Sequence, residues 1–190
     1  MKALDVSEIA GLILIEPRKF GDHRGFFSET YNKKSLADRG FDKEFVQDNH
    51  SLSGAVGTVR GLHYQSPPFA QDKLVRVVRG AILDVAVDIR KGSPTYGRHA
   101  AVELSAENWR QLLVPAGFAH GFVTLTPDAE VVYKVTHYYA PDHDHGVLWS
   151  DAALGIAWGV APEQAQLSDK DRRQPLFADI ASPFVFGNGV

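Results

Sequence analysis

The chain has 190 residues, 44% of them hydrophobic and 23% charged, enough for one ordinary soluble domain with a sizeable core. A net charge of −3 gives no broad basic field, which argues against nucleic acid as the main partner but leaves room for a small anion held by a local cluster. With no cysteine there is no disulfide framework or thiolate metal site, and no apolar run approaches the roughly 18 residues of a membrane span.

Met1 to Ile9 mixes acidic and apolar residues without the apolar core or cleavage pattern of a signal peptide, so a cytoplasmic protein is expected. Gly11 to Glu16 is an apolar strand closed by Pro17. Phe20 to Gly25 is turn-rich, and Phe26 to Tyr31 reads as an aromatic strand. Asn32 is placed to cap a short helix through Leu36 and Ala37, which Gly40 stops. Phe45 to Ser51 starts like a strand and then presents five polar side chains in a row. It reads as a loop, either solvated or lining a polar pocket.

From Thr58 the strand pattern is dense. Leu74 to Arg79, Ala81 to Ile89, Gly97 to Leu104, Gln111 to Val114, Phe118 to Leu125, Glu130 to Tyr139 and Gly146 to Trp149 are strands separated by Gly and Pro turns. Trp158 to Gln166 is loop or short helix, and Ser168 with Asp171 marks a helix start that Pro175 ends. Strands do not alternate with helices, so the pattern predicts an all-β sandwich or barrel rather than a parallel sheet.

Arg60 to Gln65 places a guanidinium and an imidazole three residues apart, with Gly61 between them. Pro115 to Phe122, which holds His120, looks like its companion. The two are read as walls of one pocket, with His63 as a base. Strict alternation would send residues 60 and 63 to opposite faces, so a bulge or strand start is predicted at Gly61. Along Ala81 to Ile89, Leu83, Val85, Val87 and Ile89 form a core face. The other face, Ile82, Asp84, Ala86 and Asp88, is either wet or a polar interior where Asp84 orients a cation such as Lys73 or an imidazole, since a lone buried carboxylate is prohibitive. Arg60, His63, Lys73 and His120 would together suit an enolate or a phosphate. Tyr133 is a core aromatic or a phenol that returns a proton to a carbanion. His143 and His145 lie in a surface turn between Pro141 and Gly146. A first-row metal needs three or four rigidly held ligands, and none is expected here.

With these residues in view, the sequence resembles the dTDP-4-dehydrorhamnose 3,5-epimerase family from Gly11 to about Pro175. The resemblance rests on Phe20 to Glu29, Phe45 to His50, Arg60 to Gln65, Asp84 to Arg90 and Pro115 to Phe122. It implies a cupin-type jelly roll as one domain over residues 1–190, with a core at about 11–150 and a segment 151–190 packing back to supply Asp171. It also implies a homodimer, a dTDP-sugar substrate, and no metal or redox cofactor. His63 matches the family's base, Asp171 the carboxylate paired with it, and Tyr133 the proton donor on the other face of the sugar. Lys73, Arg60 and His120 match positions around the sugar ketone and the phosphates. Arg24, Phe27, Glu29, Gln47, Asp48 and Asn49 match nucleotide-site positions, some of which the family takes from the partner subunit. Tyr139 matches an aromatic that stacks on thymine, and Asp144 and Lys170 match peripheral substrate contacts. The family pattern has glutamate where Asp144 stands, so a shortened or lost contact is expected. Asp72 stands where glycine is common; it either pairs with Lys73 or faces solvent as its opposite-parity neighbour, and the second is expected. The implied activity is inversion of C3 and C5 of dTDP-4-dehydro-6-deoxy-D-glucose. The alternatives are a C3-only epimerase of another dTDP-4-keto-deoxysugar and a non-catalytic nucleotide-sugar-binding cupin.

Overall fold

Short apolar strands bounded by Gly and Pro turns pair into two facing antiparallel sheets in the computed structural model, which describes residues 2–5, 9 and 11–187. The signal-peptide reading of Met1 to Ile9 therefore falls largely outside the described residues. No helix among those residues is long and apolar enough to cross a membrane.

The first sheet has six strands in the order β1 (Lys2–Asp5), β2 (Ile13–Glu16), β10 (Gln111–Val114), β7 (Lys73–Arg79), β12 (Ala129–Val135) and β5 (Gln47–Ser53). The second has five: β13 (Asp144–Gly146), β6 (Val59–Gln65), β11 (Phe118–Thr124), β8 (Ala81–Asp88) and β9 (His99–Ser105). A small hairpin, β3 (Lys19–Asp22) with β4 (Gly25–Ser28), is exposed along most of its length. This is the all-β jelly-roll arrangement expected from the strand pattern.

Alternation explains where the core sits. Val75 and Val77 of β7, Ile82 and Ala86 of β8, and Phe122 and Val131 point into the space between the sheets. The opposite face of β8, Val85 and Val87 with Ile89 beyond it, meets a second core built from Val147, Trp149, Leu154, Trp158 and Phe184. The C-terminal segment thus covers the outside of the five-stranded sheet, and Trp158 Nε1 donates to the Trp149 carbonyl at 2.7 Å. A strand buried on both faces has no polar side, which is why β8 and β11 read as nearly continuous apolar runs. The short helix α1 (Lys33–Ala37) starts as expected, with Asn32 Oδ1 accepting from Ser35 N–H at 3.0 Å, a cap worth about 1 kcal/mol. Its buried Leu36 packs with Ile15, Leu74 and Leu113.

Several expectations need correction. Gln47–Ser53 is an edge strand paired with β12, not a loop. Its polar run serves two polar faces, with Gln47, Asn49 and Ser51 lining pockets while Asp48 and His50 pair with Lys134 and Glu130. Asp72 is buried at 3% exposure and does not face solvent. It accepts from Ala116 N–H, Thr136 Oγ1 and Lys43 Nζ, partners that parity along the strand cannot reveal. Asp88 does not serve a polar pocket. It accepts from Arg90, Ser93 and Thr95 and closes the turn after β8. Burial alone would raise its carboxyl, but these donors together hold it below the ordinary carboxylate range. The strand expected at Gly146 to Trp149 instead lies at Asp144–Gly146, so His145 belongs to a strand against β6 while His143 ends a 3₁₀ turn.

Candidate active site

The bulge expected at Gly61 is present. His120 pairs with His63 and Phe122 with Arg60, so β6 spends three steps where β11 spends two. Val59 and Leu62 consequently join the outer core, while Arg60 and His63 both line a cavity. Gly61 has φ +124°, and a Cβ there would lie 2.5 Å from Gly121 Cα and 2.8 Å from the His120 carbonyl. Only glycine fits this backbone.

The cavity lies between the two sheets, has a volume of about 520 Å³, and falls within the usual range for small-molecule sites. Its five-stranded wall provides Arg60, His63 and His120, its six-stranded wall Lys73 and Tyr133, and the C-terminal segment Ser168, Lys170 and Asp171. An adjoining pocket of about 150 Å³ shares His63, Lys73 and Tyr133 and adds Gln47, Asn49, Tyr139 and Asp144.

His63 Nε2 and Asp171 Oδ1 are 2.5 Å apart. Asp171 comes from a 3₁₀ turn, Asp171–Arg173, and its N–H donates to Ser168 Oγ at 3.1 Å. Burial alone would raise the Asp171 carboxyl. The hydrogen bond and charge of His63, helped by Ser168 and Gly61 N–H, hold it below the ordinary range, so it stays a carboxylate. With Nε2 donating to Asp171, the imidazole lone pair lies on Nδ1. The His63 side chain is 30% exposed, open enough to meet a ligand.

Lys73 opens β7, and burial pulls its ammonium down to about 8, with Asp144 and Asp84 pulling the other way. Burial likewise pushes the Tyr133 phenol up, against the charge of Arg60, so it keeps its proton through the neutral range. Arg60 is oriented by donating to Ser53 Oγ at 3.1 Å and the Leu52 carbonyl at 3.2 Å. His120 Nε2 lies 2.8 Å from Asp84 Oδ1.

An imidazole held by a carboxylate, a protonated phenol on the facing sheet and a cation lining the same cavity are groups able to move protons on carbon. The family profile described as dTDP-4-dehydrorhamnose 3,5-epimerase matches residues 6–179. The chain belongs to the dTDP-4-dehydrorhamnose 3,5-epimerase family. A dTDP-4-dehydrorhamnose 3,5-epimerase of Sinorhizobium fredii is 53% identical over 178 residues, 94% of this chain and 91% of that one. The crystal structure of the Bacillus anthracis enzyme of the same name, with TDP and PPi bound, is 55% identical with a TM-score of 0.89, covering 92% of this chain and 98% of that one. A Legionella pneumophila dTDP-6-deoxy-D-glucose-3,5-epimerase in complex with dTDP-4-keto-L-rhamnose is 46% identical with a TM-score of 0.90, covering 94% of each chain.

For this member of the epimerase family, the remaining expected residues divide into groups. Asp144 is not isolated by being shorter than glutamate. Its Oδ2 accepts from Tyr139 Oη at 3.0 Å and from Lys170 Nζ. Gln47 and Asn49 face the adjoining pocket and bond each other at 2.8 Å. Asp48, one residue off in parity, points away, pairs with Lys134 at 2.7 Å and borders a separate pocket of about 250 Å³ with Glu29. Arg24 and Phe27 sit on the exposed β3–β4 hairpin, where Arg24 pairs with Asp22. None of Arg24, Phe27 and Glu29 lines the His63 cavity. Two supporting residues were missed from sequence. Ser53 orients Arg60 from a strand mistaken for loop. Gln65, buried on β6, bonds the Phe69 and Tyr138 carbonyls and Ala140 N–H, fixing the loop that carries Tyr139. The place of Gln65 at the end of the strand that carries Arg60 and His63 was the available signal.

Proposed function

We propose that this chain inverts C3 and C5 of dTDP-4-dehydro-6-deoxy-D-glucose to give dTDP-4-dehydro-L-rhamnose. The observation that carries this is the opposition of His63 on one sheet, held by Asp171 of the C-terminal turn, to Tyr133 on the other, with Lys73 lining the same cavity.

The C4 ketone acidifies the hydrogens on C3 and C5. His63 Nδ1 takes one of them, and Asp171 stabilises the imidazolium that forms. The electron pair moves onto the C4 oxygen, where the Lys73 ammonium stabilises the enolate, an effect typically of about 3–4 kcal/mol for one fixed donor. Tyr133 returns a proton to the opposite face of the same carbon. His63 then gives its proton to solvent and Tyr133 regains one. Neither carbon changes oxidation state, so the balance calls for no redox partner. Arg60 and His120 serve the phosphate and ketone side, and Gln47, Asn49, Tyr139, Asp144 and Lys170 serve the nucleotide side.

We read residues 1–190 as one cupin-like unit acting as a cytoplasmic homodimer. The exposed aromatic hairpin, where Phe26 and Phe27 are largely uncovered, supports a partner surface there, with Arg24, Phe27 and Glu29 serving the neighbour's nucleotide site.

Incubation with dTDP-4-dehydro-6-deoxy-D-glucose in deuterated water tests the reaction. Label at both C3 and C5 with inverted product is expected, and none in His63→Ala. Label at C3 alone would assign a C3-only epimerase. No label above a boiled control would leave only nucleotide-sugar binding.

A further inference from the structure

One buried carboxylate behind the cavity wall has no task in this scheme. Asp84 is fully buried on β8 in the row that faces the space between the sheets, with Ile82 and Ala86 on either side of it. Its Oδ1 meets His120 Nε2 at 2.8 Å, and its Oδ2 has no hydrogen-bond partner among the described residues. The register explains the meeting. His120 pairs with Ala86 and Phe122 with Asp84, so His120 and Asp84 are diagonal neighbours on one face of adjacent strands. On its other side His120 is the direct cross-strand partner of His63. Two imidazoles therefore stand side by side, each against its own buried carboxylate: Asp171 for His63 and Asp84 for His120. A buried carboxylate with a bare oxygen is costly, and nearby positive charge offsets that cost. Lys73, on the facing sheet, interacts with it.

We infer that Asp84 is a positioning residue of this reaction, one oxygen fixing His120 in the cavity wall and the other leaving a negative charge in the sheet that faces the Lys73 ammonium. The inference rests on the epimerase reaction proposed above. Lys73 must be charged to stabilise an enolate oxygen. The anions around it are Asp84 from β8, Asp144 from β13 and Asp171 from the closing turn. The cations and neutral groups lining the same space are Arg60 and His63 from β6, His120 from β11, Tyr133 from β12 and Lys170. Asp84 and Asp144 both hold Lys73 protonated against burial, which has already brought it to about 8. Removing the Asp84 charge lets Lys73 lose its proton at lower pH.

The test compares kcat and KM of the parent, Asp84→Asn and Asp84→Glu across pH. In Asp84→Asn the alkaline limb of kcat is expected to move down by about one pH unit, with KM changed only a few-fold. Asp84→Glu, which keeps the charge, is expected to return the limb toward the parent position. Superimposable limbs in Asp84→Asn and the parent overturn the inference. A second arm needs neither a folded variant nor turnover: ¹⁵N NMR of His120 in the parent protein. Nε2 is expected to carry a proton at neutral pH, as the donor to Asp84, and an unprotonated Nε2 overturns the positioning role. Absence of solvent exchange in the parent would instead strike the reaction itself, which the NMR arm does not depend on.

Discussion

Replacing Asp171 by asparagine keeps the shape of the closing turn and removes the charge behind the base. Asp171 is buried at 3% exposure and lies 2.5 Å from His63 Nε2. A charge-assisted hydrogen bond of this kind contributes about 1.5–3 kcal/mol, and the imidazolium formed on proton abstraction needs all of it. At about 1.4 kcal/mol per tenfold, that is a loss of roughly 10- to 150-fold in kcat. A second loss adds to the first. The amide can turn its NH₂ toward Nε2, which drives the imidazole proton onto Nδ1, where the lone pair is required. The same substitution behind the histidine of a catalytic triad costs about 10⁴. We expect kcat to fall by about 10²- to 10⁴-fold. KM should change little, because the carboxylate is already engaged by His63, Ser168 and Gly61. The assay is deuterium wash-in at C3 and C5, followed by ¹H NMR under saturating substrate, with circular dichroism to verify the fold. A folded variant with kcat within threefold of the parent would refute the assignment of Asp171.

Tyr133→Phe should keep deuterium exchange at C3 within about tenfold of the parent while losing inverted product by about 10²-fold, a split that product NMR resolves; equal inversion in both proteins would remove the phenol from the mechanism. Burial brings Lys73 to about 8, so kcat should fall as pH rises through that value, and a flat profile to about pH 9.5 would show that its charge is not needed. In Gly121→Ala the new Cβ would lie 2.6 Å from the Arg60 carbonyl and 3.0 Å from Gly61 Cα, backbone atoms with little room to yield. We expect a loss of about 2–4 kcal/mol in urea unfolding, and stability within 0.5 kcal/mol of the parent, roughly the error of such comparisons, would show that β6 and β11 can separate.

The strands that alternate or run apolar were legible because their burial is written into their own residues. Asn32 announced its helix, and Gly61 announced its bulge, because each solves a purely local problem. β5 was not legible. Gln47, Asn49 and Ser51 face the cavity side while Asp48 and His50 meet Lys134 and Glu130, so neither face is apolar. Its strand identity comes from β12, some eighty residues later in the chain. Asp72 was misplaced for a related reason: three partners from distant segments satisfy it, and parity along one strand sees none of them. His63 could be suspected from its neighbours. Its companion Asp171, 108 residues downstream, could be named only through the family resemblance. Arg24 and Phe27 remain exposed on the hairpin, away from the residues that line the His63 cavity.

The C-terminal segment does two jobs with one stretch of chain, sealing the outer core with Trp149, Trp158 and Phe184 and carrying Asp171 to His63. Order of synthesis follows from this. Every strand of both sheets has left the ribosome before residue 171 emerges, so a nascent chain can gather Arg60, Lys73, His120 and Tyr133 around an idle imidazole. Under the proposed mechanism the base would become competent only when the wrap closes, so completion of the fold would turn chemistry on. A protease cutting between Trp149 and Asp171 would disarm the protein by the same route, and exchange activity should vanish in step with that cleavage.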